Sequence, residues 1–245
     1  MLKAYDDGRL FGASTGTAPP WILALHGWQR THRDFSRVLE GLDAVAVDLP
    51  GFGASPPPPD PWGSAEYAQA LVPLLATFPD PAVVLGHSFG GRVAVHLAAA
   101  HPELVRALVL TGVPLLRPPG TARASVAWQF KLGRRLHARG LMSDDRMEAL
   151  RQRFGSRDYR NATGVMRGVH VKAVNETYED QLGGIPQPVE LVWGEDDGAV
   201  PPAVAEAAAQ LLTDATVTRL PGVGHLTPTE APDALRAALL RRRPA

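Results

Sequence analysis

The stretch AVVLGHSFGGRVAVHLAA, residues 82–99, constrains the fold more than any other part of the chain. AVVL is short and apolar, the pattern of a buried strand. GRVAVHLAAAH then reads as a helix whose inward face includes Val93, Leu97 and Ala100. The chain must therefore reverse from strand to helix at Ser88. Glycine lacks a Cβ and fits tight turns. Gly86 and Gly90 stand two residues either side of Ser88, so strand and helix can converge while the serine side chain projects from the apex of a strained turn. A G-x-S-x-G run between a strand and a helix is the pattern of a nucleophile elbow.

The same rhythm runs through much of the sequence. Strand-like runs occur at 22–27, 43–50, 82–87, 106–112, 188–194 and 216–222, with helix-like runs near 31–41, 64–77, 89–101, 202–212 and 231–242. This alternation predicts an α/β fold with a mostly parallel central sheet flanked by helices. At the start, LKAYDDGRLFG places a DG turn between short strand-like flanks, which suggests an antiparallel edge hairpin. Between Val113 and Ile185 the rhythm stops, and helical patterns take over at about 122–139, 144–154 and 157–175. The expected organisation is a core domain of residues 1–113 and 186–245, interrupted by a helical cap insertion of residues 114–185. SPPPPDP, at 55–61, reads as a stiff connecting loop.

Composition narrows the chemistry. Lys plus Arg and Asp plus Glu number 25 each, which argues against a globally electrostatic nucleic-acid binder. With no cysteine, disulfides, zinc–thiolate sites and cysteine nucleophiles are excluded. The opening MLKAYDDGRLFG carries acids where a signal peptide has an apolar run, and no apolar stretch approaches the length of a transmembrane helix. A cytoplasmic location is expected.

A serine hydroxyl is a weak nucleophile at neutral pH, so Ser88 needs a base, an acid to orient it and donors for a developing oxyanion. Of the eight histidines, His96 and His101 lie on the helix that leaves the elbow. His32, His137 and His170 read as polar helical positions, and His26 and His87 as structural residues at strand ends. His225, in LPGVGHLTP after the last strand, is the leading base, because parallel sheets gather their sites at the carboxyl ends of strands. The acid comes from VELVWGEDDGAVPP, where Glu195, Asp196 and Asp197 directly follow a strand. The elbow template takes one oxyanion N–H from the residue after the nucleophile, here Phe89, and another from the loop after an early strand. ILALHGWQR supplies that loop, with Gly27 turning the chain and Trp28 offering its amide.

These pieces together resemble the α/β-hydrolase superfamily over nearly the whole chain: LHGW, DLPGFGAS (48–55), GHSFGG (86–91), WGEDDGAVP (193–201) and GVGH (222–225), with the nucleophile, acid and base in the superfamily order. The resemblance aligns Gly194, Asp197, Val200 and Pro201 with the G-x-x-D-x-x-V-P pattern that usually carries the acid, which selects Asp197 over Asp196. It implies that DLPGFGAS shapes the site without reacting and that the helical insertion is a cap. Relatives such as haloalkane dehalogenases and epoxide hydrolases use an aspartate at the elbow, where this chain has Ser88. The HG-x-GPG start of many carbon–carbon bond hydrolases is missing from HGWQRT, and the G-G-S-W-G elbow of prolyl aminopeptidases is missing from GHSFG. The resemblance therefore implies a serine hydrolase of the esterase type, working without a metal or organic cofactor. A thioesterase, an amidase or a carbon–carbon bond hydrolase would use the same residues, and a ligand receptor can retain them.

The substrate depends on the cap. Residues 115–180 hold thirteen Lys and Arg against seven Asp and Glu, which suits a solvated surface or attraction of an anionic substrate, partner or membrane surface. Trp128, Phe130 and Met166 are the candidate substrate-binding residues, with Leu132, Leu136 and Val169 as further apolar cap positions.

Overall fold

Strand pleating sorts the apolar residues onto two faces of one sheet. The computed structural model describes residues 2–117, 128–154 and 156–244. Its strands are β1 (Leu2–Tyr5), β2 (Leu10–Thr15), β3 (Ile22–Leu25), β4 (Ala44–Asp48), β5 (Ala82–His87), β6 (Val105–Thr111), β7 (Val189–Gly194) and β8 (Ala215–Leu220). They are ordered β1-β2-β4-β3-β5-β6-β7-β8. β3 to β8 are parallel. β1 and β2 form the expected antiparallel edge hairpin, and β2 pairs antiparallel with β4.

The helices are α1 (Ser64–Leu75), α2 (Phe89–Ala100), α3 (Trp128–Ala138), α4 (Asp144–Phe154), α5 (Arg157–Asn161), α6 (Gly164–Ala173), α7 (Glu179–Gly183), α8 (Ala203–Ala209), α9 (Thr227–Glu230) and α10 (Pro232–Arg241). On one face Leu23, Val84, Leu108 and Leu191 pack against Leu71 of α1, Leu97 of α2 and Val204 of α8. On the other, Ile22, Val83, Ala107 and Val192 meet Phe35, Val38 and Leu39, together with Leu235 and Leu239 of α10. Because successive side chains of a strand point to opposite faces, runs buried on both sides read as continuous apolar sequence. The five helices α3 to α7 all lie between β6 and β7. Among the described residues, no helix is long and apolar enough to cross a membrane.

Three expectations from sequence need correcting. Residues 31–41 do not make one helix: a 3-10 turn at His32–Phe35 is followed by irregular turns. The Arg236 guanidinium binds the Val38 and Glu40 carbonyls, and Asp48 fixes the His32 end, so the segment buries its apolar side chains without a regular ladder. The stretch 157–175 is broken, because Ala162 and Thr163 are extended and Gly164 has φ +52°. Ala100, expected on the inward face of α2, is exposed at its last turn, where the helix has run past the sheet it covers. Residues 122–127 of the first insertion helix lie outside the described residues.

Candidate active site

Ser88 follows β5 with φ +48° and ψ −111°, a conformation that L residues rarely hold and that costs on the order of 1–3 kcal/mol. Its surroundings fix it there. The Ser88 amide donates to the Thr111 carbonyl (3.0 Å), and the Gly90 amide donates to the His26 carbonyl (3.0 Å). A Cβ on Gly86 would stand 2.5 Å from the Gly91 Cα, and one on Gly90 would strike the Leu25 carbonyl. Both glycines are therefore needed for close approach, as the elbow pattern requires.

The parallel strands β5, β6, β7 and β8 are successive neighbours, and their carboxyl ends bring three distant residues together. His225 Nδ1 lies 2.8 Å from Asp197 Oδ2, and His225 Nε2 lies 3.3 Å from Ser88 Oγ. Asp197 Oδ1 accepts from the Ala199 and Val200 amides at 2.9 and 2.8 Å. Burial by itself would raise this carboxyl, but the hydrogen bonds from His225, Val200 and Ala199 leave it below the usual carboxylate range. Since the carboxylate can only accept, the partner set assigns the imidazole proton to Nδ1 and leaves Nε2 to accept from the serine hydroxyl. Glu195 and Asp196 are exposed. Glu195 pairs with Arg219, and Asp196 offers its backbone amide to the Val223 carbonyl. Gly112, at the end of β6, leaves the room this grouping needs, because a Cβ there would sit 2.9 Å from His225 Cε1.

Phe89 begins α2, where helical N–H groups have no intrahelical partner. Trp28 lies in the turn closed by the Arg30 amide on the Gly27 carbonyl, with Gln29 at φ +55°. Neither the Phe89 nor the Trp28 amide donates to a protein acceptor among the described residues. A buried frame supports that turn. His26 Nε2 accepts from the Leu49 amide (2.9 Å), and burial lowers its pKa to about 4. Asp48 accepts from the His32 and Ala54 amides, which ties the DLPGFGAS segment to the same corner.

Aromatic side chains lead away from the Gly27–Trp28 turn. Trp28 packs edge-on to Phe52 (5.0 Å between centroids) and Phe89 (5.4 Å), and lies 5.0 Å from His170. Tyr159 follows at 6.3 Å from His170, and Phe130 at 6.2 Å from Tyr159. Met166 reaches Tyr67, whose ring is 5.1 Å from Phe89. Leu132 is exposed and Val169 is buried in the core. Trp128 opens α3, and its side chain lies outside the described residues. His170, read from sequence as a polar position, is instead buried against Trp28, because α6 turns that face inward. His26, His87, Tyr159 and Gly112 also border the site, and no sequence motif assigns them a role there. Among the described residues no three His, Asp or Glu side chains are grouped to hold a metal ion.

Comparison with known proteins shows the family. A family model described as alpha/beta hydrolase fold matches residues 20–232. A pimeloyl-[acyl-carrier protein] methyl ester esterase of Chromobacterium violaceum is 32% identical over 88% of this chain and 91% of its own length. A 2-hydroxymuconate semialdehyde hydrolase of Pseudomonas putida is 30% identical over 76% of this chain and 71% of its own. The solved structure of a thermophilic esterase from Thermogutta terrifontis superposes with a TM-score of 0.69 at 21% identity, covering 97% of this chain and 94% of that one. With the sheet order, the elbow and these matches in agreement, the chain belongs to the α/β hydrolase family.

Proposed function

We propose that the protein is a serine hydrolase that cleaves a carboxylic ester through an acyl-enzyme, with Ser88, His225 and Asp197 as its catalytic triad. The observation that carries this reading is a single imidazole bridging Asp197 at 2.8 Å and Ser88 at 3.3 Å beside two amides without an acceptor among the described residues. Ser88 Oγ attacks the acyl carbon as His225 Nε2 takes its proton. The carbonyl oxygen becomes an oxyanion held by the Phe89 and Trp28 amides. On collapse the C–O bond breaks, and the alcohol leaves with the proton from His225. Water then gives a proton to His225 and attacks the acyl-enzyme, returning free Ser88 and a carboxylic acid. Asp197 holds the imidazole in the required tautomer and stabilises its cation.

In this reading residues 1–113 and 186–245 form the hydrolase core and residues 114–185 the cap. Phe130 and Met166 line the acyl side, joined by His170 through its contact with Trp28 and by Tyr159 through its contact with His170. The substrate is a small acyl ester, with an anionic group favoured by the basic insertion, and the location is the cytoplasm. A second reading, carbon–carbon bond cleavage, draws on the 30% identity to the semialdehyde hydrolase. A panel of aryl and alkyl esters, a thioester, an amide and a vinylogous 1,5-diketone acid separates the two. We expect ester turnover at least tenfold above the others, and both turnover and phosphonate labelling abolished in Ser88→Ala. Turnover above a tenth of wild type in that variant would sink the proposal.

A further inference from the structure

His87 is the last residue of β5 and lies immediately before the nucleophile, fully buried. Strand pleating puts Val84 and Gly86 toward α2, and puts Val83, Leu85 and His87 on the opposite face. On that face the chain returns from β8 to α9, and the His87 ring meets it: Nε2 lies 2.9 Å from the carbonyl oxygen of His225. A carbonyl can only accept, so Nε2 carries the proton and donates. Nδ1 is then a lone pair, buried and without a hydrogen-bond partner among the described residues. It rests against Gly27, where a Cβ would come within 2.9 Å of it. The loop that carries the base is also held on either side of His225: before it by the Asp196 amide on the Val223 carbonyl and the Gly224 amide on the Glu230 carboxylate, and after it by the Thr229 and Glu230 amides on the Leu226 carbonyl. None of these contacts involves a backbone atom of His225 itself. Among the described residues, His87 alone holds the His225 backbone.

We propose that His87 is a positioning residue, whose Nε2–H fixes the His225 carbonyl while its ring, wedged on Gly27, keeps the base loop and the Gly27–Trp28 turn in register with Ser88. The role rests on the reading of Ser88 and His225 as the reacting pair. Burial, and next the neighbouring His225 charge, lower the His87 pKa to about 4, so it acts as a neutral donor. The 3.3 Å separation of His225 Nε2 from Ser88 Oγ is long for a hydrogen bond to a hydroxyl and must tighten during attack. A loop free to drift would lose that approach, and a misplacement of about 1 Å can cost about 10²-fold in rate.

The test compares His87→Gln, whose terminal amide N–H reaches the position of Nε2, with His87→Asn, whose amide stops near Nδ1, and with His87→Phe, which keeps a ring and no donor. For each variant kcat and KM on an aryl ester, the unfolding midpoint and the rate of Ser88 phosphonate labelling are measured. We expect Asn and Phe to lower kcat by roughly 10- to 100-fold with KM within about threefold, and Gln to recover most of the loss. Equal kcat in Gln and Asn, or wild-type kcat in all three, would overturn the assignment. If the Phe variant does not fold, the comparison of Gln with Asn decides alone. Ser88→Ala is measured in parallel. Turnover retained there overturns the hydrolase reading, whereas an inactive Ser88→Ala beside equal Gln and Asn variants overturns only the role of His87.

Discussion

Replacing Asp197 by Asn tests the site at its most constrained point. Asp197 Oδ1 receives two backbone amides, from Ala199 at 2.9 Å and Val200 at 2.8 Å, while Oδ2 faces His225 Nδ1 at 2.8 Å. An Asn side chain must keep its oxygen on the two amides, since its NH2 there would set donor against donor. The NH2 then points at His225, which can accept only by moving its own proton to Nε2. That proton faces Ser88, and the hydroxyl loses its acceptor. Loss of the orienting carboxylate by this route has a precedent in the serine protease triad, where the same substitution drops kcat by about 10⁴, equivalent to about 5 kcal/mol of barrier. Here we expect a kcat loss of 10³ to 10⁴ on an aryl ester, with little change in KM or unfolding midpoint because both backbone hydrogen bonds survive. Asp196→Asn alters an exposed side chain and should leave kcat within about twofold. A loss below about tenfold at Asp197, or comparable losses at both positions, would refute the reasoning.

Two further outcomes follow from buried histidines and from the charge of the segment between β6 and β7. His26 and His87 titrate near pH 4 in the folded protein, below the ordinary value of 6.5, so between those limits only the unfolded chain binds their protons. Stability should therefore be full above about pH 6.5 and fall toward pH 4, by about 3 kcal/mol for each histidine, read from urea melts at pH 7.5, 5.5 and 4.5; a flat profile would show that the two rings are not buried and neutral. Lys131, Arg134, Arg135 and Arg139 are exposed on or just after α3, and none makes an ion pair among the described residues. If they gather substrate, a carboxylate-bearing ester should outperform its neutral isostere in kcat/KM at about 0.01 M salt and lose that advantage at about 0.15 M, as the Debye length shortens from about 30 to about 8 Å. A constant ratio would leave these cations as solvated surface.

What the sequence makes legible are features of short range or strict period. Gly86, Ser88 and Gly90 disclose the elbow because steric closeness within five residues admits few alternatives. The strands are legible because burial on both faces leaves unbroken apolar runs. The turn at residues 36–41 is not, since its backbone depends on Arg236, which lies far along the chain. His87 and His170 escape for the same reason: what makes each matter is a contact with a residue brought near by the sheet, His225 in one case and Trp28 in the other. Gly112 carried a partial signal, as a glycine ending β6 where no carboxylate follows. The His225 ring beside it and its backbone φ of +58° explain why the position must stay bare.

The strand order also explains why two strained turns coincide at one point. β3 and β5 are neighbours, but the chain leaves β3 toward β4 on one side and leaves β5 toward β6 on the other. A crevice opens outside the carboxyl ends where the connections diverge, the usual place for a ligand in an open parallel sheet. Trp28 and Phe89 begin those two connections, so each presents an amide that neither the sheet nor a preceding helical turn can use. Positive φ at Gln29 and Ser88 aims the two connections across the crevice, and such strain persists only where the surroundings over-determine it. The Gly90–His26 hydrogen bond, the His26–Leu49 hydrogen bond and the His87 ring on Gly27 supply that constraint from fully buried positions. Loosening any one of them should weaken both amide donors together, because the two turns share a single support.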